Sequence, residues 1–270
     1  MIPDFLSEFH KAQLEEWPLA RQNYESLKEV KKKKIRIGDI DGFVHFNPHR
    51  AGSTLAKTDK SSILNRPCFL CKENRTREQK SIEIIPDHEL LVNPYPILPY
   101  HFTIAGLKHE TQKLEISVAL SLAENLPGML VFYNGTGAGA SAPDHKHFQC
   151  VPIEELPLIK KISYHLKRGV NIALPYRILT DSKKIQEIQT QVSLNAYFWK
   201  SEDDEILCFA IPRRAHRPKS FFMDPPMRRA VSPGALDMAG IIVTPMEEDF
   251  KLLQEEEIEE ILREVGFPNE

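Results

Sequence analysis

Two histidines and a glutamine alternate in the segment DHKHFQ, residues 144–149. On an extended strand every second side chain points to the same face, so His145, His147 and Gln149 are expected to share one. A neutral imidazole is a competent nucleophile near neutral pH, so a histidine here could form a phosphoramidate with a nucleoside monophosphate. The alternative is the polar, solvent-exposed face of an ordinary strand.

A glycine-rich segment, YNGTGAGAS at residues 133–141, comes shortly before the histidines. Backbone N–H groups in such a turn can cradle phosphate oxygens. A phosphate held beside an imidazole is a workable arrangement for attack on phosphorus. The combination favours a chemical site over a plain strand face.

Two cysteines in the segment PCFLC, Cys68 and Cys71, have the C-x-x-C spacing of a zinc knuckle. A tetrahedral zinc site needs two further ligands, and His109 and His145 are the candidates. The alternative is a redox pair, which usually opens a helix after a βαβ strand, and the flanking residues do not show that pattern. The N-terminal residues do not resemble a secretory signal, so reduced thiols and a cytoplasmic location are expected.

Composition excludes several other classes of function. The chain has 270 residues, 41% of them hydrophobic, which suits one large domain or two small domains sharing a core. Its net charge of -3 implies no broad basic surface for nucleic acid. No stretch approaches the roughly 18 consecutive apolar residues of a membrane span, so no membrane partner is expected.

Hydrophobic periodicity predicts the helices and strands that position these residues. A helical pattern over residues 4–30 is interrupted at Pro18, and a hairpin is predicted to turn at Asp41-Gly42. Short strands follow, and residues 247–267 have the pattern of one amphipathic helix. This pattern predicts an α+β fold, mostly antiparallel, with residues 1–35 as an N-terminal helical appendage.

The segment HKHFQ resembles the His-x-His-x-Gln signature of the nucleotidyltransferase branch of the histidine-triad superfamily. That branch includes galactose-1-phosphate uridylyltransferase, diadenosine tetraphosphate phosphorylase and the GDP-L-galactose phosphorylases. Further segments resemble the branch in matching order across roughly residues 40 to 265: FNPHRAGS, PCFLC, NPYPILPYHFTIAGLKHE, YNGTGAGAS, AIPRRAHRP and VSPGALDMAGIIVT. The resemblance implies a histidine-triad-like sheet with flanking helices in two related halves: a catalytic half at 36–160 and a degenerate half at 161–270.

The resemblance also implies roles for individual residues. His147 is the expected nucleophile, and Gln149 is expected to hold the phosphoryl oxygens. An amide cannot act as the general acid–base that a third histidine could be, so transfer is favoured over hydrolysis. The implied substrate-binding residues are Arg50, Asn93, Asn134, Gly135 and Ser141. The implied ligands of a structural zinc are Cys68, Cys71, His109 and His145.

Two departures from the family pattern narrow the choice within the branch. Asp144 is an extra residue before the His-x-His pair, which favours the phosphorylases. His216 is the only histidine after residue 165, so the C-terminal histidines that bind a second metal in the uridylyltransferase are not evident.

The predicted activity is therefore transfer of a nucleoside monophosphate through a covalent nucleotidyl-His147. The donor is an NDP-sugar or a dinucleoside polyphosphate, and the acceptor is phosphate or a sugar phosphate. The alternatives are a zinc-stabilised nucleotide-binding protein without catalysis and a nucleotide hydrolase. The base, the acceptor, the direction of the reaction and the choice between monomer and homodimer stay open.

Overall fold

The computed structural model describes residues 2–55, 60–169 and 172–269 of the chain. The predicted α+β class is confirmed, with a large antiparallel sheet flanked by helices. The α-helices are α1 (Asp4–Glu16), α2 (Pro18–Glu25), α3 (Ala51–Thr54), α4 (Lys60–Leu64), α5 (Ile116–Asn125), α6 (Pro157–Arg168), α7 (Ser182–Ile188), α8 (Ala235–Met238), α9 (Glu247–Leu252) and α10 (Glu255–Val265). The strands are β1 (Lys31–Ile37), β2 (Ile40–Phe46), β3 (Ser81–Ile85), β4 (His88–Val92), β5 (Phe102–Gly106), β6 (Met129–Asn134), β7 (His147–Pro152), β8 (Ser193–Lys200), β9 (Ile206–Arg213) and β10 (Ile241–Thr244).

The large sheet has seven strands in the order β3-β4-β5-β7-β6-β8-β9, and each neighbouring pair is antiparallel. The strand β7 is central, with β5 on one side and β6 on the other. Gln149 lies opposite Thr103 on β5 and opposite Phe132 on β6. The strands β8 and β9 extend this same sheet, so residues from both predicted halves form one continuous layer.

Both faces of the large sheet are covered, because side chains alternate along each strand. On one face Phe132 and Val151 belong to a core shared with β2, β10, α6 and α10. On the other face Phe148 and Cys150 belong to a core shared with α1, α5 and α7. Burial of each large apolar side chain contributes about 1.5–3 kcal/mol, so these two cores fix the orientation of β7. His147 and Gln149 consequently face the first core, not α5.

A second sheet has three strands, with β2 antiparallel to β1 and parallel to β10. The prediction of a turn at Asp41-Gly42 was wrong, because the chain turns at Gly38-Asp39. Gly38 has a φ of 54°, a left-handed conformation that glycine adopts readily. Gly42 instead lies inside β2, where an added Cβ would come within 2.8 Å of the Gly240 carbonyl oxygen. Its small size lets the chain entering β10 approach.

The N-terminal residues form α1 and α2, and the predicted interruption at Pro18 is confirmed. Residues 31–35 already belong to β1. Three side chains of the two helices bond to the backbone of distant loops. Gln13 bonds to Glu78 and Lys80, Asn23 to Pro94, and Tyr24 to His101.

The predicted C-terminal helix is divided into α9 and α10, so its prediction as one helix was wrong. Leu253 adopts an extended conformation between them and is fully buried. Lys33 donates to the carbonyl oxygens of Phe250 and Leu253, which satisfies the end of α9. Within the described ranges, no helix is both long enough and apolar enough to cross a membrane.

Candidate active site

A cavity of about 630 Å³ lies between the large sheet and the loops that lead to the second sheet. Its volume falls in the range of about 300–1,000 Å³ that is usual for small-molecule sites. Six of the predicted site residues line it: Arg50, Asn93, Asn134, Ser141, His147 and Gln149. His101, which was not predicted, lines it as well.

His147, the first residue of β7, is 3% exposed. Its Nδ1 lies 2.9 Å from the carbonyl oxygen of His145. A carbonyl can only accept, so Nδ1 carries the proton and Nε2 keeps its lone pair. Burial lowers the pKa of His147 to about 4, which keeps the ring neutral at neutral pH. The ring that lines the cavity therefore has the protonation state of a nucleophile.

Gln112 holds the backbone on both sides of this histidine, although nothing in its sequence context predicted a role. Its Oε1 accepts from the His147 N–H at 2.8 Å. Its Nε2 donates to the carbonyl oxygens of His147 and Asn134, at 2.9 and 3.0 Å. The side chain is 5% exposed. This single amide therefore fixes the end of β6 relative to the start of β7.

Gln149 is oriented by two neighbours. The N–H of Ile97 donates to Nδ1 of His101 at 3.2 Å, so the proton of His101 is on Nε2. That Nε2–H donates to Oε1 of Gln149 at 2.7 Å, and Asn93 Nδ2 approaches the same oxygen at 3.4 Å. Burial and nearby Arg50 lower the pKa of His101 to about 3. With its oxygen engaged, Gln149 has its Nε2 group to offer to a ligand in the cavity.

Asn134, the last residue of β6, has the same arrangement. Its Oδ1 accepts from Asn195 Nδ2 and from the N–H of Ala235, each at 2.8 Å. Asn134 lines the cavity, and its Nδ2 group is the part that remains to donate. Two carboxamides, on neighbouring strands, thus have their oxygens fixed by the protein and donors available for an anion.

The glycine-rich loop contributes less of the wall than its composition predicted. Gly139, Ala140 and Ser141 line the cavity, but the structure does not bring Gly135 to its wall. The N–H of Gly135 donates to the carbonyl of Leu194, and an added Cβ would meet the hydroxyl of Ser193 at 2.5 Å. Gly135 serves close packing against β8.

Positive charge converges on the cavity from separate segments. Among the described residues, the arginines in its wall are Arg50, Arg66, Arg75 and Arg217. Arg66 pairs with Asp144 at 3.1 Å, and Arg75 pairs with Glu89 at 2.7 Å. Arg66, Arg75 and Arg217 were not predicted, because no spacing connects them to the histidines. Asp144, the extra residue of the sequence motif, offsets one of these charges.

Arg50 donates to the carbonyl oxygen of Tyr95 and lies near Asp237. Burial lowers the pKa of Arg50 to about 10, so it remains a cation at neutral pH. Burial raises the pKa of Asp237 to about 6, although its oxygens accept from the N–H groups of Gly234 and Val243 at 2.9 Å.

The four predicted metal ligands come together next to the cavity. The donor atoms of Cys68, Cys71, His109 and His145 all lie within 4.8 Å of one another. Nδ1 of His145 is 3.4 Å from the sulfur of Cys68, and Nδ1 of His109 is 3.2 Å from that of Cys71. Zinc–sulfur and zinc–nitrogen bonds at tetrahedral angles give sulfur–nitrogen edges of about 3.5 Å. The four residues could therefore hold a metal ion of this kind.

His145 has the opposite hydrogen bonding to His147. Its Nε2 lies 2.8 Å from the carbonyl oxygen of Gly106, so Nε2 carries the proton and Nδ1 faces the thiols. Burial raises the pKa of Cys68, but hydrogen bonds from His145 and backbone groups outweigh it and lower that pKa overall. Asp144 approaches His109 Nε2 at 4.0 Å.

Residues 9–152, more than half of the chain, match the family described as Domain of unknown function (DUF4922). The chain belongs to this family. A search of curated proteins with the whole sequence finds no significant match.

Three crystal structures of yeast Ap4A phosphorylase Apa2 share the fold of this DUF4922 chain. The complex with Ap4A has a TM-score of 0.62 at 18% identity and covers 100% of both chains. The structure of Apa2 by itself has a TM-score of 0.60 at 16% identity, covering 100% of this chain and 97% of Apa2. The complex with AMP has a TM-score of 0.58 at 18% identity, covering 100% and 99%. The likeness shows that this chain has the same fold as Apa2.

The DUF4922 match begins inside α1, and the N-terminal helices contribute to the cavity. Trp17 and Leu19, at the junction of α1 and α2, are part of its wall. Phe69 and Tyr95 line it as well and are about half exposed, at 47% and 44%. Phe102, an aromatic residue close to Tyr95 in the sequence, is fully buried in the core on the opposite face of the sheet. The cavity wall thus includes large apolar side chains in addition to its arginines.

Proposed function

We propose that this protein transfers a nucleoside monophosphate from a dinucleoside polyphosphate to a phosphate acceptor through His147. The observation that carries the proposal is the neutral, buried His147 ring, whose Nδ1–H is held by a carbonyl while its other nitrogen remains a nucleophile. The ring lines a cavity that also contains four arginines and two oriented carboxamides. Such a wall matches a polyphosphate chain in charge and in hydrogen-bond donors.

In the first step Nε2 of His147 attacks the α-phosphorus of the donor. A P–N bond forms, the bond from that phosphorus to the bridging oxygen breaks, and the rest of the polyphosphate leaves with the electron pair. The proton stays on Nδ1, held by the His145 carbonyl, and the ring carries the positive charge in the adduct. An acceptor oxygen then attacks phosphorus, and the P–N electron pair returns to Nε2. Neither step requires the ring to lose a proton.

Gln149 and Asn134 suit the charge that develops on the phosphoryl oxygens. Their Nε2 and Nδ2 groups would donate to those oxygens as the phosphorus becomes five-coordinate, and each such donor typically contributes about 2.7–4 kcal/mol of transition-state stabilisation. An amide cannot deliver a proton to the leaving group or activate water. Gln149 therefore supports transfer to a competent acceptor over hydrolysis.

The number of arginines supports the choice of donor class. Four of them line the cavity, and that amount of positive charge suits a chain of several phosphates. The fold neighbour Apa2 is an Ap4A phosphorylase crystallised with Ap4A and with AMP. Its substrate supports a dinucleoside polyphosphate as the first donor to test.

We also propose that Cys68, Cys71, His109 and His145 hold a zinc ion with a structural role. The ion would crosslink the loop before β3 to the residues that precede β7. It would thereby fix His145, whose carbonyl orients the His147 ring.

The adduct itself provides the test. Purified protein is incubated with Ap4A labelled at the α-phosphorus, and protein-bound label is measured after denaturation. We expect label that is stable in alkali and lost in acid, as a phosphoramidate is. His147→Ala should give none, whereas His49→Ala, an exposed histidine outside the cavity wall, should label like the wild type.

Other outcomes separate the alternatives. Ap4A binding without label or turnover in any variant would favour a nucleotide-binding protein without catalysis. Turnover to AMP at the same rate with and without phosphate would favour a hydrolase. Label that persists in His147→Ala would place the nucleophile elsewhere.

A further inference from the structure

A polar cluster in the cavity wall comes from the second half of the chain and, beyond the charge that Arg217 adds to the wall, takes no part in the steps above. His216 and Arg217 follow β9, and Ser232 precedes α8. Nε of Arg217 donates to the Ser232 hydroxyl at 2.9 Å, and Nε2 of His216 lies 3.4 Å from the same oxygen. Three side chains that can donate hydrogen bonds therefore meet at one point of the wall.

The guanidinium of Arg217 is held in place before any ligand binds. It lies 4.1 Å from the centre of the Phe221 ring, within the range of a cation–π contact. Its NH2 donates to the carbonyl of Thr54 at 3.1 Å, which ties it to the helix that begins directly after Arg50. A planar fork fixed in this way loses little conformational entropy when it binds an oxyanion.

The cluster is connected to the reaction centre through the glycine-rich loop. Gly139 packs so closely on Gly234 that an added Cβ would come within 2.7 Å of the Gly234 Cα. The N–H of Ala235, the next residue, donates to Oδ1 of Asn134. Gln112 in turn donates to the backbone carbonyl oxygens of both Asn134 and His147. Ser232 is two residues before Gly234 in the same segment.

The arginines of the cavity wall come from different segments of the chain. Arg66 and Arg75 flank the C-x-x-C segment. Arg217 follows β9 and donates to the Ser232 hydroxyl and to the carbonyl of Thr54 at the end of α3.

We propose that Arg217, His216 and Ser232 form the subsite for the acceptor phosphate. This inference rests on the proposed function and deepens it. The ligand class is a phosphate dianion that carries its own nucleophilic oxygen, either inorganic phosphate or a sugar phosphate. The subsite binds the dianion in the second step, and in the first step it binds the polyphosphate that leaves, because the acceptor enters where the leaving group departs.

The chemistry balances with the groups named. An acceptor oxygen forms a bond to the phosphorus of nucleotidyl-His147, the P–N bond breaks, and its electron pair returns to Nε2 with the proton still on Nδ1. With an adenylyl group and inorganic phosphate the product is ADP. Arg217 positions the attacking phosphate and offsets its charge, and it exchanges no proton.

The test separates the two steps by the choice of donor. Adenosine 5′-phosphorimidazolide transfers an adenylyl group with neutral imidazole as the leaving group, so loading His147 from it does not require the subsite. The loaded enzyme is desalted and mixed with increasing phosphate, and ADP formation is followed by rapid quench. For Arg217→Gln we expect loading close to the wild-type rate, but a half-saturating phosphate concentration raised roughly tenfold or more by loss of a charge-assisted hydrogen bond.

Arg228→Gln is the matched control, because Arg228 lies over the same Phe221 ring, at 5.8 Å, and is exposed outside the cavity wall. It should behave as the wild type. Ser232→Ala, which removes a contact of Arg217, should raise the half-saturating concentration less than Arg217→Gln does. Melting temperatures identify a variant that has not folded.

Two acceptors distinguish the sources of the dianion. Inorganic phosphate and hexose 1-phosphate are each added to the loaded wild type, and Arg217→Gln should weaken whichever one reacts. An unchanged phosphate dependence in Arg217→Gln would overturn the subsite, as would loaded enzyme that reacts with neither acceptor. Failure of the proposed function looks different, because the wild type would then not load from either the phosphorimidazolide or Ap4A.

Discussion

His145 and His147 of the DHKHFQ segment are separated by a single residue, and they donate hydrogen bonds from different ring nitrogens. His145 gives its Nε2–H to the Gly106 carbonyl and turns Nδ1 to the two thiols. His147 gives its Nδ1–H to the His145 carbonyl and keeps Nε2 for the cavity. Both rings are almost fully buried, at 1% and 3% exposure. The two imidazoles thus have different roles, and the role of each is set by which of its ring nitrogens donates to a carbonyl.

The comparison shows that the candidate metal cluster and the candidate nucleophile are parts of one arrangement. The backbone carbonyl of His145, a candidate metal ligand, is the acceptor that sets the tautomer of His147. A hydrogen bond from one ring nitrogen to a carbonyl usually fixes the orientation and the tautomer of the ring. Separate substitutions of the two rings should therefore have unequal consequences, and those consequences can be measured.

The largest expected effect is that of His147→Asn on adduct formation. Loss of the nucleophile should lower the rate by on the order of 10⁴-fold or more. Metal content and melting temperature should stay near the wild-type values, because His147 contributes no donor atom to the cluster. Metal content and the rate of labelling by rapid quench are measured on the same preparation of the variant. Loss of metal together with loss of labelling would show that the metal site depends on His147.

Substitution of a metal ligand should have the converse pattern. In Cys71→Ser we expect loss of bound metal, a free energy of unfolding lower by several kcal/mol, and labelling reduced roughly 10- to 100-fold through misplacement of the His145 carbonyl. The measurements are metal content, denaturant unfolding and the labelling rate. Cys208→Ser is the control, since Cys208 is a β9 residue outside the cluster. Full labelling by a metal-free Cys71→Ser would disconnect the two sites.

Much of this arrangement could be predicted from local sequence. Strand alternation predicted that His145, His147 and Gln149 share a face. His147 and Gln149 both line the cavity, whereas His145 precedes β7 and lies in the cluster with the two thiols. The C-x-x-C spacing with two histidines predicted that cluster, and the structure does bring it together. The α+β class followed from the order of periodic segments. These features depend on spacing within short segments, which a single sequence displays directly.

The unpredicted residues depend on contacts between distant segments. Gln112 and His101 reach the site only because β5 and β7 are neighbours, which no local pattern specifies. Arg217 comes from a segment some seventy residues beyond His147 and joins the wall through α8. Gly42 was misinterpreted for a similar reason: its Asp-Gly context is typical of a turn, but its size serves the approach of Gly240.

His101 is a third buried imidazole to compare with His145 and His147, because its partner is the side-chain amide of Gln149. In His101→Phe, Gln149 loses the N–H group that donates to its Oε1. We expect kcat to fall roughly tenfold with KM little changed, because about one hydrogen bond is lost in the transition state. His101→Gln can still donate and should restore part of kcat. Equal kcat in the two variants would indicate that His101 has a packing role only.

The smallest expected effect concerns His10, a buried histidine whose Nε2 has no hydrogen-bond partner among the described residues. It packs among the rings of Tyr24, Tyr100 and Phe102, and burial lowers its pKa to about 4. The unfolded chain takes up a proton here near pH 6.5, whereas the folded chain does so only near pH 4. The contribution to stability is therefore complete above pH 6.5 and is lost as the pH falls toward 4.

In His10→Phe, which keeps a ring and has no proton to bind, the free energy of unfolding should fall less between pH 7 and pH 5 than in the wild type. Because His45, His101 and His216 also have lowered pKa values, the quantity to measure is the difference between the two proteins at each pH, referred to pH 8. A difference that does not change with pH would mean that His10 is accommodated as a cation, and that a buried imidazole here does not need a carbonyl partner as His145 and His147 do.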